Sequence, residues 1–407
     1  MTKTNNNKEL ALHGGEKVIR RPFLRYQAIG QEELDAARKV IESGVLSQFL
    51  GCWSDDFYGG PKVREFEQAC SEYFGVKHAI TVNSWTSGLV TAVGAIGIEP
   101  GDEVIVSPWT MCASATAIIH WNAIPVFADV DRATFTLDPQ SVKKCITSKT
   151  RSIIVVSLYG LPPDYNALLE ISKEHDLVLI EDNAECFLGE YQDKLAGTFG
   201  HFASYSFQAS KHMTCGAGGM LTTNDEDLAN KARRFANLGY STVGSKKGDI
   251  TKDLIQDPQF RRHVSLGFNY RMSEVSAAVA LGQVERLTDL VEQRIKVAKL
   301  FDEVIVDCDY LQKQAEPPGY KNTYWTYSLV LQTDNPHTEW YRFRKQFQKN
   351  GGDNYYAAWK LGYMEPLFLN EQSREGVWQT YGTGLCPNAE YLQPRILQIK
   401  TNLEMML

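Results

Sequence analysis

The first regular pattern along the chain is a set of apolar positions at Leu34, Ala37, Val40 and Ile41. They are spaced for one face of a helix that opens at Ile29-Gly30-Gln31-Glu32-Glu33. Residues 44–62, GVLSQFLGCWSDDFYGGPK, are rich in Gly and aromatics and show no period; a loop this long inside a compact domain is usually functional or mobile. From residue 63 helical and strand patterns alternate. An amphipathic helix over Val63–Phe74 leads to a strand at Ala79–Val82, a helix over 86–96, a strand at Glu103–Val106 and a helix over 111–121. Strands at Ile124–Val130 and Ser152–Leu158, a helix at Tyr165–His175, and strands at Leu177–Ile180, Ala203–Phe207 and Gly219–Thr223 complete the series. Short β-branched runs between helices predict an α/β core, a mainly parallel sheet covered on both faces. Residues 273–301 then read as one long helix with Ser273 as its N-cap, long enough to connect two domains. A strand at Tyr327–Leu331 and a helix at Thr338–Lys349 predict a smaller α+β domain. The expected organisation is a polar, then basic lead-in over 1–30 ending in Arg20-Arg21-Pro22-Phe23, a large α/β domain over 31–272, and a connecting helix with a small C-terminal domain over 273–407.

Composition narrows the class. With 43% hydrophobic and 22% charged residues the 407-residue chain reads as soluble and globular. A net charge of −7, from 42 basic and 49 acidic residues, argues against a nucleic-acid binder, which carries a clustered basic surface. No apolar stretch approaches the roughly 18 residues of a membrane helix, and the start, MTKTNNNKEL, lacks the apolar core of a secretory signal. Eight cysteines are scattered without a CxxC pair or a His partner at zinc spacing. Reduced thiols in a cytoplasmic protein, with no metal site, are expected.

Ligands of open α/β sheets collect at the carboxyl ends of the strands, so the residues just past each strand matter most. Glu181, Asp182, Asn183, Ala184 and Glu185 follow one strand; Gln208, Ala209, Ser210, Lys211 and His212 follow another; Asn83, Ser84, Trp85, Thr86 and Ser87 follow a third and open a helix. A lysine in a pocket, desolvated or near other cations, acts as a Schiff-base nucleophile. A carboxylate from a neighbouring strand suits the ring nitrogen of pyridoxal phosphate, and a hydroxyl-rich helix start suits a phosphate. Each feature alone is ordinary: a surface lysine, a turn-forming acid, an N-cap. Their joint order does not by itself name a cofactor.

Six blocks in order carry a resemblance over about residues 12–400: GGPKVREFEQACSEYFGVKHAITVNSWTSGL (59–89), IEPGDEVIVSPWTMCASATAI (98–118), IPVFADVDRATFTLDP (124–139), VLIEDNAECFLGEY (178–191), SYSFQASKHMTCGAGGMLTT (204–223) and LGFNYRMSEVSAAVALGQVERL (266–287). The chain resembles the DegT/DnrJ/EryC1/StrS sugar aminotransferases, which use pyridoxal phosphate on the type I aspartate-aminotransferase fold. The resemblance implies a seven-stranded large domain with a smaller C-terminal α+β domain. It implies that Lys211 bonds the cofactor, that Asp182 keeps the ring nitrogen protonated, and that Glu185 lies beside the ring's phenolic oxygen. Ser206, Thr86 and Ser87 match the phosphate cradle. Asn269 matches an asparagine that reaches a neighbouring subunit's phosphate, which implies a homodimer with shared sites. Met111 stands where an aromatic commonly stacks on the ring, with Trp109 nearby as a substitute.

The sequence departs from the family pattern at four places. Trp85 replaces a glycine, Met111 the aromatic, Gly216-Ala217-Gly218-Gly219 lacks an acidic residue after the lysine, and the sequence stops at Leu407 where relatives often continue. Around the expected pocket, His212 adjoins Lys211 but neighbouring residues point different ways, and Cys186 and Cys215 read as packing residues. Lys246-Lys247 and Arg261-Arg262 read as solvated surface or, alternatively, as a grip on a diphosphate. The aromatic cluster in 320–327 and 353–363 reads as core or interface. The functional expectation is transfer of an amino group from L-glutamate or L-glutamine to a keto-sugar, most simply a nucleotide-linked one. The alternatives are a free inosose substrate, a non-transaminating enzyme on the same fold, or a scaffold without catalysis. No membrane or nucleic-acid partner is expected.

Overall fold

The computed structural model describes residues 27–49, 57–245, 250–352, 356–371 and 381–403. The expected lead-in up to residue 26, Cys52, Lys246-Lys247 and the end at Leu407 lie outside them. Helices α1 (Gln31–Ser43) and α2 (Pro61–Phe74) precede β1 (His78–Val82), α3 (Trp85–Ala95), β2 (Glu103–Val106), α4 (Ala113–Ile119) and β3 (Ile124–Phe127). Then come α5 (Pro139–Cys145), β4 (Thr150–Val156), α6 (Tyr165–Glu174), β5 (Val178–Asp182), two short strands β6 (Glu190–Tyr191) and β7 (Lys194–Leu195), β8 (Phe202–Ser206), β9 (Gly219–Thr223) and α7 (Glu226–Ala236). After the short α8 (Lys252–Gln256) follow α9 (Glu274–Val284) and α10 (Leu287–Ile305). The C-terminal part holds β10 (Leu311–Lys313), β11 (Tyr320–Lys321), β12 (Thr326–Leu331), α11 (Pro336–Lys349), α12 (Pro366–Glu371), α13 (Pro387–Leu392) and β13 (Ile396–Lys400).

Seven strands form the main sheet in the order β1-β9-β8-β5-β4-β2-β3. β9 runs antiparallel to both β1 and β8, and the remaining pairs are parallel. Alternate strand residues point to opposite faces, and here both faces are dry. Val104, Val106, Ile154 and Val156 pack into one cluster, while Ile105, Ile153 and Val155 pack into another. That is why these strands read as continuous apolar runs. A second, antiparallel sheet of β10, β12 and β13 forms the smaller C-terminal layer. No helix among the described residues is long and apolar enough to cross a membrane.

The structure corrects the reading of 273–301 as one helix: α9 and α10 are separate, broken at Glu285-Arg286. Tertiary contact explains the break. Gln283 donates to the Glu33 carboxylate at 2.7 Å, and the Arg286 guanidinium reaches both Glu33 and the Ala28 carbonyl. The same contact overturns the expected face of α1. Leu34 and Ile41 are 51% and 61% exposed, whereas Val40 and the acid Glu33 are buried. Burial would raise the Glu33 carboxyl, but donors from Gln283, Gly30 and Arg286 bring it below its ordinary range. Elsewhere the expected elements shift at their ends. The helix expected over 111–121 shortens to α4, and the strand expected to Val130 stops at Phe127, leaving Val130 paired to Leu137 in an isolated bridge.

Candidate functional site

β9 reverses direction, so β1, β8 and β5 all point the same way and the residues following them share one edge of the sheet. Three sequence features therefore meet there. Behind β8, Lys211 sits in a turn closed by its own N–H donating to the Gln208 carbonyl at 2.9 Å. Its Nζ lies 3.4 Å from Glu185 Oε1 and 4.0 Å from the centre of the Trp325 ring. The side chain is only 11% exposed. Arg294 of α10 holds the backbone below it, donating to the carbonyls of Ser210 (2.9 Å), Lys211 (2.7 Å) and Trp325 (2.9 Å). The Trp325 indole N–H also bonds the Ser210 carbonyl at 3.0 Å. The amine thus swings from a backbone tied down from behind.

Asp182, the last residue of β5, is buried. Its Oδ1 accepts from Trp85 Nε1 at 2.9 Å and from the Ala184 N–H at 3.2 Å, and its Oδ2 from Ser114 Oγ at 2.9 Å. Burial raises its pKa to about 7; the bonds from Ala184 and Ser114 and the charge of Lys211 oppose that rise, while Glu185 adds to it. Glu185 is buried too, with Oε2 accepting the Tyr159 N–H at 3.1 Å. Burial pushes the Glu185 carboxyl up and the Lys211 amine down, and each partner's charge works against that trend. Both groups are therefore drawn toward their neutral forms, which is what a nucleophilic amine needs.

α3 opens at the same edge. Ser84 caps it, accepting from the Ser87 N–H at 3.1 Å, and the Ser87 hydroxyl donates back to Asn83 Oδ1 at 2.6 Å. The first-turn N–H groups of Trp85 and Thr86 have no acceptor within the helix. Thr86 is exposed, Ser87 is buried within its own cap, and Ser206 is buried at the end of β8. Gly219 pairs with Ser206 across the ladder. A Cβ at Gly219 would lie 2.5 Å from the Ser84 carbonyl carbon, so only glycine allows β9 to pass this close to the α3 turn.

The other expected residues differ in burial and in their partners. Met111 is 49% exposed, whereas Trp109 is fully buried, stacked on Phe135 and edge-on to Tyr159. Asn269 is exposed; its Oδ1 accepts from Arg271, and its loop docks on the β1–α3 turn, where the Asn83 N–H bonds the Tyr270 carbonyl at 2.7 Å. The His212 ring bonds the Thr323 carbonyl through Nε2 at 2.9 Å, and burial drives its pKa well below the ordinary range, leaving it neutral. Burial pushes the Cys186 and Cys215 thiols up to about 12, so both stay protonated. Ala217 is exposed, as are Arg261 and Arg262, and the Arg262 guanidinium reaches the Ile255 carbonyl.

Sequence reasoning missed four members of the site. Ser114 lay inside a matched block but carried no signal of its own. Trp85 was marked as part of a helix start and as a departure, without a role, and Trp325 sat in an aromatic cluster read as core or interface. Arg294 had no local signal at all, since its partners are main-chain carbonyls more than a helix away in sequence.

A buried amine beside a carboxylate, a second buried acid across the edge and an open helix N-terminus together provide a nucleophile, a proton acceptor and an anion seat. Comparison with known proteins places the chain among aminotransferases. GDP-perosamine synthase from Caulobacter vibrioides is 37% identical over 274 residues, covering 67% of this chain and 70% of the relative. L-glutamine:2-deoxy-scyllo-inosose aminotransferase from Micromonospora echinospora is 33% identical over 329 residues, 80% of this chain and 75% of the relative. Among solved structures, an aminotransferase from Psychrobacter cryohalolentis superposes with a TM-score of 0.83 at 28% identity, covering 94% of this chain and 95% of the other. The profile of the DegT/DnrJ/EryC1/StrS aminotransferase family matches residues 28–406, and the chain belongs to that family.

Proposed function

We propose that the protein moves an amino group from L-glutamate or L-glutamine to a keto-sugar, with a nucleotide-linked keto-deoxysugar as the first choice of acceptor. One observation carries the reading: the buried Lys211 amine, 3.4 Å from Glu185, stands at the same sheet edge as the buried Asp182. The residues present fit pyridoxal phosphate. Lys211 offers the amine that would bond it, Asp182 the acceptor for its ring nitrogen, and the α3 start with Ser206 the donors for its phosphate. When bound, the cofactor supplies an electron sink for charge developing at the donor's α-carbon.

The chain's own groups do the rest. Lys211 would move the proton at that α-carbon, an acid–base role suited to an amine whose pKa burial has lowered. Glu185 holds the amine in place and balances its charge. Asp182, when ionised, would hold the ring nitrogen and stabilise positive charge there. Arg294 and Trp325 keep the lysine backbone still while the side chain swings, and Met111 offers open apolar surface to a bound ring. Asn269, on an exposed loop, is assigned to a second copy's site, so the working unit would be a homodimer.

Absorption spectra of the purified protein with pyridoxal phosphate test the reading. A yellow band that bleaches on adding L-glutamate or L-glutamine supports aminotransfer and identifies the donor. A yellow protein indifferent to both donors would overturn it in favour of a non-transaminating enzyme. The similarity to an inosose aminotransferase supports a free cyclitol as the second acceptor, and turnover with an inosose but no nucleotide-linked keto-sugar would select it.

A further inference from the structure

The Trp85 side chain ends on Asp182, the acid at the centre of the site. Each carboxylate oxygen accepts about two hydrogen bonds. On Asp182, Oδ1 is filled by the Trp85 indole N–H (2.9 Å) and the Ala184 N–H (3.2 Å), while Oδ2 holds Ser114 (2.9 Å). We propose that Trp85 is a positioning residue that, with Ser114 and Ala184, orients Asp182 so that one acceptor direction, on Oδ2, is left for the cofactor's ring nitrogen. The inference rests on the cofactor reading above and adds to it a side chain to which that reading gives no part.

Three observations make the contact more than incidental. Trp85 is the first residue of α3, so one residue joins the helix start that would seat the phosphate to the acid that would seat the ring nitrogen. The indole is partly buried against the core cluster that holds Ile80, Ile180 and Leu221, which aims its N–H. Its backbone is pinned as well, since a Cβ on Gly219 would lie 2.6 Å from the Trp85 nitrogen. Among the described residues, the charged groups acting on Asp182 are Glu185, which opposes ionisation, and Lys211, which favours it. The donors presented by α3 and α4 are the neutral Trp85 and Ser114, and the residue paired to Asp182 on β8 is Ser204. Removing one neutral donor from this buried acid therefore favours its protonated form and frees it to rotate.

The test is equilibrium binding of pyridoxal phosphate to full-length protein stripped of cofactor, followed by absorbance between pH 6 and pH 8. W85F keeps the ring and loses the N–H; S114A removes the other side-chain donor. Each is expected to weaken binding about tenfold, the scale of one hydrogen bond to a charged group. The deficit should widen toward pH 6, where the less supported acid takes up its proton, and the melting temperature should change little. W85Q, which restores a donor on a flexible arm, should recover part of the loss. Wild-type affinity and pH dependence in a folded W85F would overturn the proposal. So would a loss that is independent of pH, absent in S114A and matched by a fall in melting temperature, because that marks packing alone. A wild-type protein that takes up no pyridoxal phosphate would remove the cofactor reading itself and this inference with it, an outcome distinct from equal binding by wild type and variant.

Discussion

Glu181 and Asp182 are consecutive residues of β5, both acidic, both buried, and they face opposite sides of the sheet. Glu181 Oε1 accepts from the N–H groups of Phe199 (2.7 Å) and Gly200 (2.6 Å), and its Oε2 from that of Gly197. These three are main-chain groups of one loop, and the Asn183 amide (3.5 Å) and Tyr165 add side-chain donors. Those of Asp182 are two side chains from two helices and the N–H of its own turn. Burial raises both carboxyls above their ordinary values, so burial and pKa alone do not tell the two apart. The donors do. Glu181 gathers the N–H groups of a loop, whereas Asp182 is held by side chains from α3 and α4.

Lys211→Ala should have the largest effect on the Asp182 side, lowering turnover roughly a thousandfold, the scale of a lost acid–base group. Circular dichroism should show an unchanged fold, and normal turnover would dissolve the site. Glu181→Ala leaves buried N–H groups without their acceptor and should cost about 3 kcal/mol in a denaturant titration. Asp182→Asn should do the reverse, weakening cofactor binding between about tenfold and a hundredfold with little loss of stability. If Glu181→Ala lost cofactor while Asp182→Asn lost stability, the contrast would be inverted. A subtler effect is pH-dependent. The folded pKa of Asp182, about 7, lies above its ordinary 3.8, so its contribution to stability is fully present below about 4 and is lost as pH rises through about 7. Without added cofactor, Asp182→Asn should therefore melt higher relative to wild type at pH 8 than at pH 5. The smallest effect is expected from Cys215→Ala, whose protonated thiol donates to the Ala217 carbonyl at 3.3 Å from the margin of a core cluster; stability should move by less than about 1 kcal/mol.

The alternating strands and helices of the large sheet were legible because parallel strands buried on both faces must be written as unbroken apolar runs. That Lys211, Asp182 and Glu185 gather at one edge was legible because all three follow strand ends, a position the strand pattern itself marks. What escaped was tertiary. Leu34 and Ile41 keep a helical spacing, yet Gln283 and Arg286 make Glu33 the better residue to bury, so α1 turns the other way. The break between α9 and α10 belongs to the same contact, and no local residue announces it. Arg294 grips carbonyl groups, which every residue has, so its partners leave no trace in the sequence.

The one reversed strand has a consequence for how the site assembles. Residues 207–218 leave the sheet at Ser206 and return at Gly219, which is its paired neighbour on the adjoining strand. Lys211 therefore rides a closed excursion whose two mouths are zipped together by β8 and β9, and closing so short a loop costs little chain entropy. Trp85, Asp182 and Trp325 are recruited across much longer spans of chain. The carrier of Lys211 is thus the most self-contained part of the candidate centre, and the residues around it are the part that depends on the whole molecule having folded.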